Sequence, residues 1–179
     1  MLALQTRRLL LRGWSEDDVD FAFDMYSRPE VQRFIGRFPK VMAQRSEAQL
    51  AIARWRALDD GIHGVWVVHD RQDDRPLGAV ILKPIPASSD QDPPPASGDT
   101  EIGWHFHPEA WGHGYATEAA ARLLQYAFAV GLNEVVAVTN VANTPSQSVA
   151  ERIGMTRAGQ TTRYYNMPLQ LFTADRPAG

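Results

Sequence analysis

Apolar positions change their period several times along the chain, and each change marks a predicted element. Arg8 to Arg12 alternates, with Leu9 and Leu11 on one side, and predicts a short strand. Ser15 suits the N-cap of a helix on which Val19, Ala22, Phe23 and Tyr26 fall at helical spacing. A second helical piece surrounds Val31, Phe34 and Ile35. After Pro39 a third helix starts near Ser46, with Ala48, Ala51, Ile52 and Trp55 on its apolar face and Gly61 past its end. Val65 to Val68 and Leu77 to Leu82 are apolar runs separated by polar turn residues, which predicts an antiparallel hairpin.

The segment from Pro84 to Gly98, PIPASSDQDPPPASG, breaks the pattern. Proline removes backbone donors there and little apolar surface is available, so a flexible loop between strands is expected. Thr100 to His107 reads as the next strand. Beyond Gly112 and Gly114 comes an amphipathic helix, with Ala120, Leu123, Leu124, Ala127 and Phe128 on one face and Glu118, Arg122 and Gln125 on the other; Gly131 suits its end. Glu134 to Thr139 is almost wholly apolar, as a strand covered on both faces should be, so strand, helix and strand form a β-α-β unit. A last helix is expected from Pro145 to Ile153, stopped by Gly154, followed by one or two strands around Tyr164 and Leu169 to Phe172.

Composition narrows the class without naming an activity. A chain of 179 residues, 44% hydrophobic and 22% charged, suits one domain spanning residues 1–179 and neither a disordered nor a membrane protein, and the order of strands and helices makes it α/β. The formal charge of -3, with no Lys/Arg run, lacks the footprint that nucleic acid requires. No cysteine is present, which excludes thiolate metal sites and a cysteine nucleophile. The opening MLALQTRRLLLR is too short in apolar residues and too soon interrupted by Arg7 and Arg8 for a signal peptide or span, so a cytoplasmic location without membrane partners is expected.

The chemistry concentrates in Trp111-Gly112-His113-Gly114-Tyr115-Ala116-Thr117, between a strand end and a helix start. Glycines let the main chain approach a ligand, and the N–H groups of a helix start attract an anion; a pyrophosphate suits both, and Thr117 adds a hydroxyl donor. A Gly-x-Gly turn also occurs as a plain connection. A dinucleotide fingerprint is less well matched, since the following strand ends at Thr139-Asn140 without an acidic residue, and a Walker loop lacks its Gly-Lys-Ser/Thr.

Taken with Glu101-Ile102-Gly103-Trp104, His107-Pro108 and the later Asn143-x-x-Ser146 with ERIGM, this turn resembles the GNAT acetyltransferase superfamily, in the branch of the ribosomal-protein N-terminal acetyltransferases of RimJ/RimL type. The ends TRRLLLRGW and RYYNMPLQLF resemble that branch too. The resemblance implies a mixed central sheet of about six to seven strands flanked by helices and splayed between the strands at 100–107 and 134–139. It implies acetyl-CoA as cosubstrate, no metal, an amine acceptor such as a protein N-terminus or a small molecule, and a monomer or homodimer. Coenzyme contacts carried over are Trp104, Trp111, Gly112, His113, Gly114, Tyr115, Ala116, Thr117, Asn143 and Ser146. Trp111 stands where the family commonly has a basic or amide residue, which costs one side-chain donor.

Direct attack of an amine on a thioester needs a base for the ammonium, a donor for the oxyanion and a proton for the departing sulfur. Glu101 is the candidate base, though a strand-start carboxylate also serves as a simple ion-pair partner. Ser146 is the candidate acid, and the resemblance places the oxyanion donor on the strand at 101–106. Thr144-Pro145-Ser146-Gln147 is also a good helix start with Thr144 as N-cap, which explains three of these residues without a ligand. Glu118 is expected to complement the helix dipole. His105 and His107 share a strand face, and with His113 they raise a metal reading that no nearby Asp or Cys completes. Two rivals remain: a non-catalytic acyl-CoA-binding regulatory module, and an acyltransferase using a larger donor such as succinyl-CoA, which needs an Arg or Lys at the acyl end.

Overall fold

The computed structural model describes residues 1–177. Its strands are β1 (Leu4–Gln5), β2 (Leu9–Gly13), β3 (Gly64–Asp70), β4 (Pro76–Pro86), β5 (Ala96–Phe106), β6 (Glu134–Asn140), β7 (Thr156–Thr161) and β8 (Leu169–Asp175). Its helices are α1 (Val19–Tyr26), α2 (Pro29–Gln32), α3 (Arg45–Ala57), α4 (Tyr115–Ala129) and α5 (Thr144–Arg152). The strands form one sheet in the order β1-β2-β3-β4-β5-β6-β8-β7. Eight strands replace the six to seven expected, because β1 spans two residues and β7, TRAGQT, is a polar and largely exposed edge that carries no apolar alternation.

Period-two alternation distributes the sheet's side chains to two cores. Trp66 and Val68 of β3, Val80 and Leu82 of β4, and Ile102 and Phe106 of β5 pack against α4, while Val65, Val67 and Ala79 pack against α1 and α3 on the opposite face. Glu101, Gly103 and His105 alternate with Ile102, Trp104 and Phe106, so they look toward the face covered by α1 and α3. Ser15 sits at the N-cap of a short 3₁₀ turn, Glu16–Asp18, that leads into α1. The helical piece near Val31 closes at Gln32, leaving Phe34 and Ile35 in the turn beyond it.

All strand neighbours are antiparallel except β5 and β6, which pair in parallel at Glu101↔Val136. Beyond that point the two strands part, and α4 connects them as the β-α-β reading requires.

The stretch 84–98 corrects the expected loop. β4 continues through Pro86 and β5 already begins at Ala96, with Pro84 opposite Thr100, and Ile85 is fully buried beside Tyr164. Proline is tolerated because β3 pairs with β4 only as far as Leu82, so beyond it one side of β4 is a strand edge that needs no ladder donor, and the register with β5 is irregular between Pro84 and Pro86. The residues that follow β4 are also held: Ala87 bridges Tyr164, Ser88 N donates to Arg163 O at 2.7 Å, and Ser88 Oγ donates to Thr162 O at 2.6 Å, while Asp90 to Pro95 form an exposed tip.

Candidate active-site cleft

A cleft of about 1300 Å³ passes through the gap where β5 and β6 part. One wall is the Trp111–Thr117 turn and the start of α4; the other carries Lys83, Glu101, His105 and Tyr165, with Arg33 and Phe34 at the rim beyond α2. Trp104, Asn143 and Ser146 line the same space. Of the residues singled out from sequence, only His113 among the turn positions does not line it.

The turn owes its shape to two glycines in the left-handed region, Gly112 at φ 79° and Gly114 at φ 77°, the latter the N-cap of α4. The first intrahelical bond runs from Glu118 N to Gly114 O, so the N–H groups of Tyr115, Ala116 and Thr117 have no helical acceptor. The turn therefore presents a row of backbone donors, plus the positive end of the helix dipole, to one end of the cleft. Trp111 is half exposed and its indole N–H donates to Phe106 O at 2.8 Å, so its side chain brings no free donor.

At the other end Glu101 is half-buried, and desolvation pushes its carboxyl above the usual range while Lys83 and the Tyr165 hydroxyl pull it down. Tyr165 Oη donates to Glu101 Oε2 at 2.5 Å, and Lys83 Nζ stands 3.9 Å from the same oxygen. Neither partner was singled out from the sequence. Lys83 is fixed by cross-strand register, opposite Glu101 in the β4–β5 ladder, while Tyr165 arrives from a turn whose position no local pattern announces.

His105 is half-buried against Tyr26, with Tyr26 Oη 3.0 Å from Nδ1, and desolvation pushes the imidazole down to about 4. It is neutral at pH 7. His107 Nδ1 accepts from Glu109 N, and its Nε2 lies 3.1 Å from Asp24 Oδ2. Each of these histidines is thus occupied by a different partner, and among the described residues no three His, Asp or Glu side chains gather as a metal set.

The helix start at α5 differs from expectation. Asn143, not Thr144, is the N-cap, its side-chain oxygen accepting from Ser146 N at 3.3 Å. Gln147 forms no capping box; its amide donates to Asn140 O and Val141 O. Capping thus explains the Asn143 oxygen that spacing alone left unassigned, while Ser146 lines the cleft. Glu118 does more than complement a dipole, since it binds Thr6 and Arg8 across the sheet edge.

Residues 8–156 match the family model described as an acetyltransferase (GNAT) domain. The uncharacterised N-acetyltransferase YoaA of Bacillus subtilis (strain 168) is 26% identical over 163 residues, covering 90% of this chain and 86% of that protein. Among solved structures, a ribosomal L7/L12 alpha-N-protein acetyltransferase, RimL, in complex with coenzyme A superposes with a TM-score of 0.78 at 15% identity, covering 97% of this chain and 98% of that one. A spermidine N-acetyltransferase from Vibrio cholerae, bound to coenzyme A and spermine, superposes at 0.72 with 19% identity over 96% and 97% of the two chains. No helix among the described residues is long and apolar enough to cross a membrane.

Proposed function

The chain belongs to the GNAT acetyltransferase family, and from that premise we propose that it transfers an acetyl group from acetyl-CoA to a primary amine by direct attack of the amine on the thioester. One observation carries the reading: a single cleft joins the donor-rich turn at one end to a half-buried carboxylate, Glu101, at the other. The residues fit the coenzyme. A Cβ added to Gly112 would meet nothing within 4 Å, so the main chain is open to close approach. Thr139 Oγ1 is buried without a partner on β6 and lines the same cleft.

In this reading Gly112, Gly114, Tyr115, Ala116 and Thr117 hold the pyrophosphate through backbone N–H groups, with Trp104, Trp111, Asn143 and Ser146 shaping the rest of the coenzyme site; His113, expected there from the sequence, lies outside the cleft lining and gives its carbonyl to Arg8 instead. Past Glu101, β5 has no parallel partner, which leaves backbone donors free to face the thioester carbonyl. Glu101 takes the proton as the amine nitrogen bonds to the acetyl carbon. The carbon–sulfur bond then breaks, Ser146 passes a proton to the sulfur directly or through water, and solvent restores that proton while taking up the one Glu101 releases. The products are the acetamide and free coenzyme A.

RimL acts on a ribosomal protein and the Vibrio cholerae enzyme binds spermine. The proposal for this chain accordingly names a primary amine, on a protein N-terminus or a small molecule, in a soluble cytoplasmic setting. Lys83 favours a second reading of the donor: it supplies beside Glu101 the cation that a larger acidic acyl group needs. Thiol release should be measured with acetyl-CoA and succinyl-CoA against N-terminal peptides, polyamines and amino acids. Turnover of an amine with acetyl-CoA is expected; no thiol release with any amine from a chain that binds coenzyme A would make it a binding module instead.

A further inference from the structure

The pyrophosphate turn is gripped from behind by the N-terminal edge of the sheet. Arg8 Nη1 donates to His113 O at 3.0 Å and Arg8 Nε to Glu118 Oε2 at 2.6 Å. Glu118 Oε1 accepts from Thr6 Oγ1 at 2.5 Å and from Arg8 N at 3.1 Å, so one carboxylate ties the residues ahead of β2 to the first turn of α4. The guanidinium carbon also lies 4.7 Å from the centre of the Tyr115 ring, whose hydroxyl donates to Asp70 Oδ2 at 3.1 Å. Arg71 fixes the clamp's own base, its N–H donating to Arg8 O and its Nη1 to Thr6 O.

Peptide geometry turns this grip into an orientation. A planar trans peptide points its C=O and its N–H in opposite directions. With His113 O directed to Arg8, the Gly114 N–H must point away from Arg8. Gly114 lines the cleft and Arg8 does not. The left-handed Gly114 would otherwise leave this peptide free to rotate, since glycine restricts it least.

Charge supplies the second argument. Glu118 stands in the first turn of α4, where an unpaired carboxylate would repel a phosphate. Burial pushes the Glu118 carboxyl up, but the hydrogen bonds from Thr6 and Arg8 outweigh it and hold the group ionised below its usual range. The ionised pair Arg8–Glu118 is close to neutral as a unit, so the anion meets the helix end without a naked negative charge beside it.

We infer that Arg8 is a positioning residue for coenzyme binding: it holds the His113–Gly114 peptide and neutralises Glu118 so that the turn's N–H groups face the pyrophosphate. The inference rests on the acetyl-CoA reading above. It gives Arg8, within the opening TRRLLLRGW, a role in the coenzyme site although it stands outside the cleft.

Arg8→Ala should bind coenzyme A about tenfold more weakly or worse, and raise KM for acetyl-CoA by a similar factor with kcat nearly unchanged, since a preorganised turn aids ground and transition states alike. Arg8→Lys keeps the charge but cannot bond Glu118 and His113 O together, and should fall between. Calorimetric titration of folded variants with coenzyme A and with 3′-dephospho-coenzyme A decides the matter. An equal loss for both ligands supports action through the turn. A loss confined to coenzyme A would place Arg8 on the 3′-phosphate and overturn the inference, as would parent-like affinity in either variant. If Arg8→Ala does not fold, Arg8→Lys carries the same comparison. A parent protein that binds neither ligand would sink the acetyl-CoA reading itself, and this inference with it.

Discussion

The Tyr165 hydroxyl donates to Glu101 Oε2 across 2.5 Å, from a backbone held in the left-handed region at φ 57°. Asn166 follows at φ 53°. Two consecutive residues other than glycine in that region cost roughly 1–2 kcal/mol each, so the surrounding contacts must hold them there. Ser88 and Ser89 do so: Asn166 N donates to Ser88 Oγ at 3.0 Å and Asn166 Nδ2 to Ser89 O at 2.8 Å. The strain brings a phenol to a half-buried carboxylate that would otherwise be pushed further toward its neutral form.

That relationship sets the first prediction. A hydrogen bond to the charged form favours it, so removing the donor must raise the Glu101 pKa further. In Tyr165→Phe the acidic limb of the pH profile of kcat/KM should move to higher pH, with turnover recovered as pH rises. Coenzyme A affinity should stay at the parent value. An unmoved acidic limb would detach Tyr165 from the titration of the base.

The brace behind Tyr165 gives the second. Replacing only Asp90 to Pro95 with a Gly/Ser linker should change stability by no more than about 0.5 kcal/mol, because those residues are exposed. Ser88→Ala should cost about 1 kcal/mol for its lost hydrogen bonds and reduce turnover while leaving coenzyme binding intact. Urea unfolding and steady-state kinetics on both variants check this. Extending the replacement to Ser88 to Ala96 would remove the brace together with the exposed tip and should lower turnover as Ser88→Ala does.

The third concerns Gly114. A Cβ added there would sit 3.6 Å from Arg8 Nη2, ordinary contact distance, so the obstacle to a side chain is φ and not space on that side. Gly114→Val forces a β-branched residue into the left-handed region or twists the peptide that Arg8 holds. Calorimetric titration should show coenzyme A binding weakened by about tenfold or more for a strain of roughly 1–2 kcal/mol per left-handed residue. Unchanged affinity in a folded variant would remove the turn from the coenzyme site.

These contacts show which parts of the site a sequence displays. The turn was legible because its chemistry is local: glycine spacing, a strand before it and an amphipathic helix after it. Glu101 was legible from its strand and the motif around it. Lys83 was not, since its place beside Glu101 follows from the β4–β5 register, which the proline-rich stretch obscured. Tyr165 and Arg8 were hidden for a related reason. Their partners lie 64 and 105 to 110 positions away in the chain, and no periodic pattern encodes such pairings. The polar strand β7 was missed because exposed edges need no apolar alternation.

The last prediction separates the two proton roles by their pH dependence. Glu101→Gln should lower turnover by roughly a hundredfold or more near neutral pH, the scale of general-base catalysis. An amine acceptor is mostly protonated there, and as pH rises it loses its proton to solvent, so the need for a base declines and the defect should shrink. Ser146→Ala should behave oppositely. A departing thiolate finds fewer protons in solution as pH rises, so this defect should persist or grow. His105 cannot imitate either profile, because burial holds it near 4 and it carries no exchangeable charge at neutral pH. Turnover of both variants measured from pH 6 to 10 with one accepted amine should therefore give diverging ratios to the parent. A Glu101→Gln enzyme that tracks the parent throughout would leave a water chain or another group as the base, and the Glu101–Tyr165 pair would then be structural.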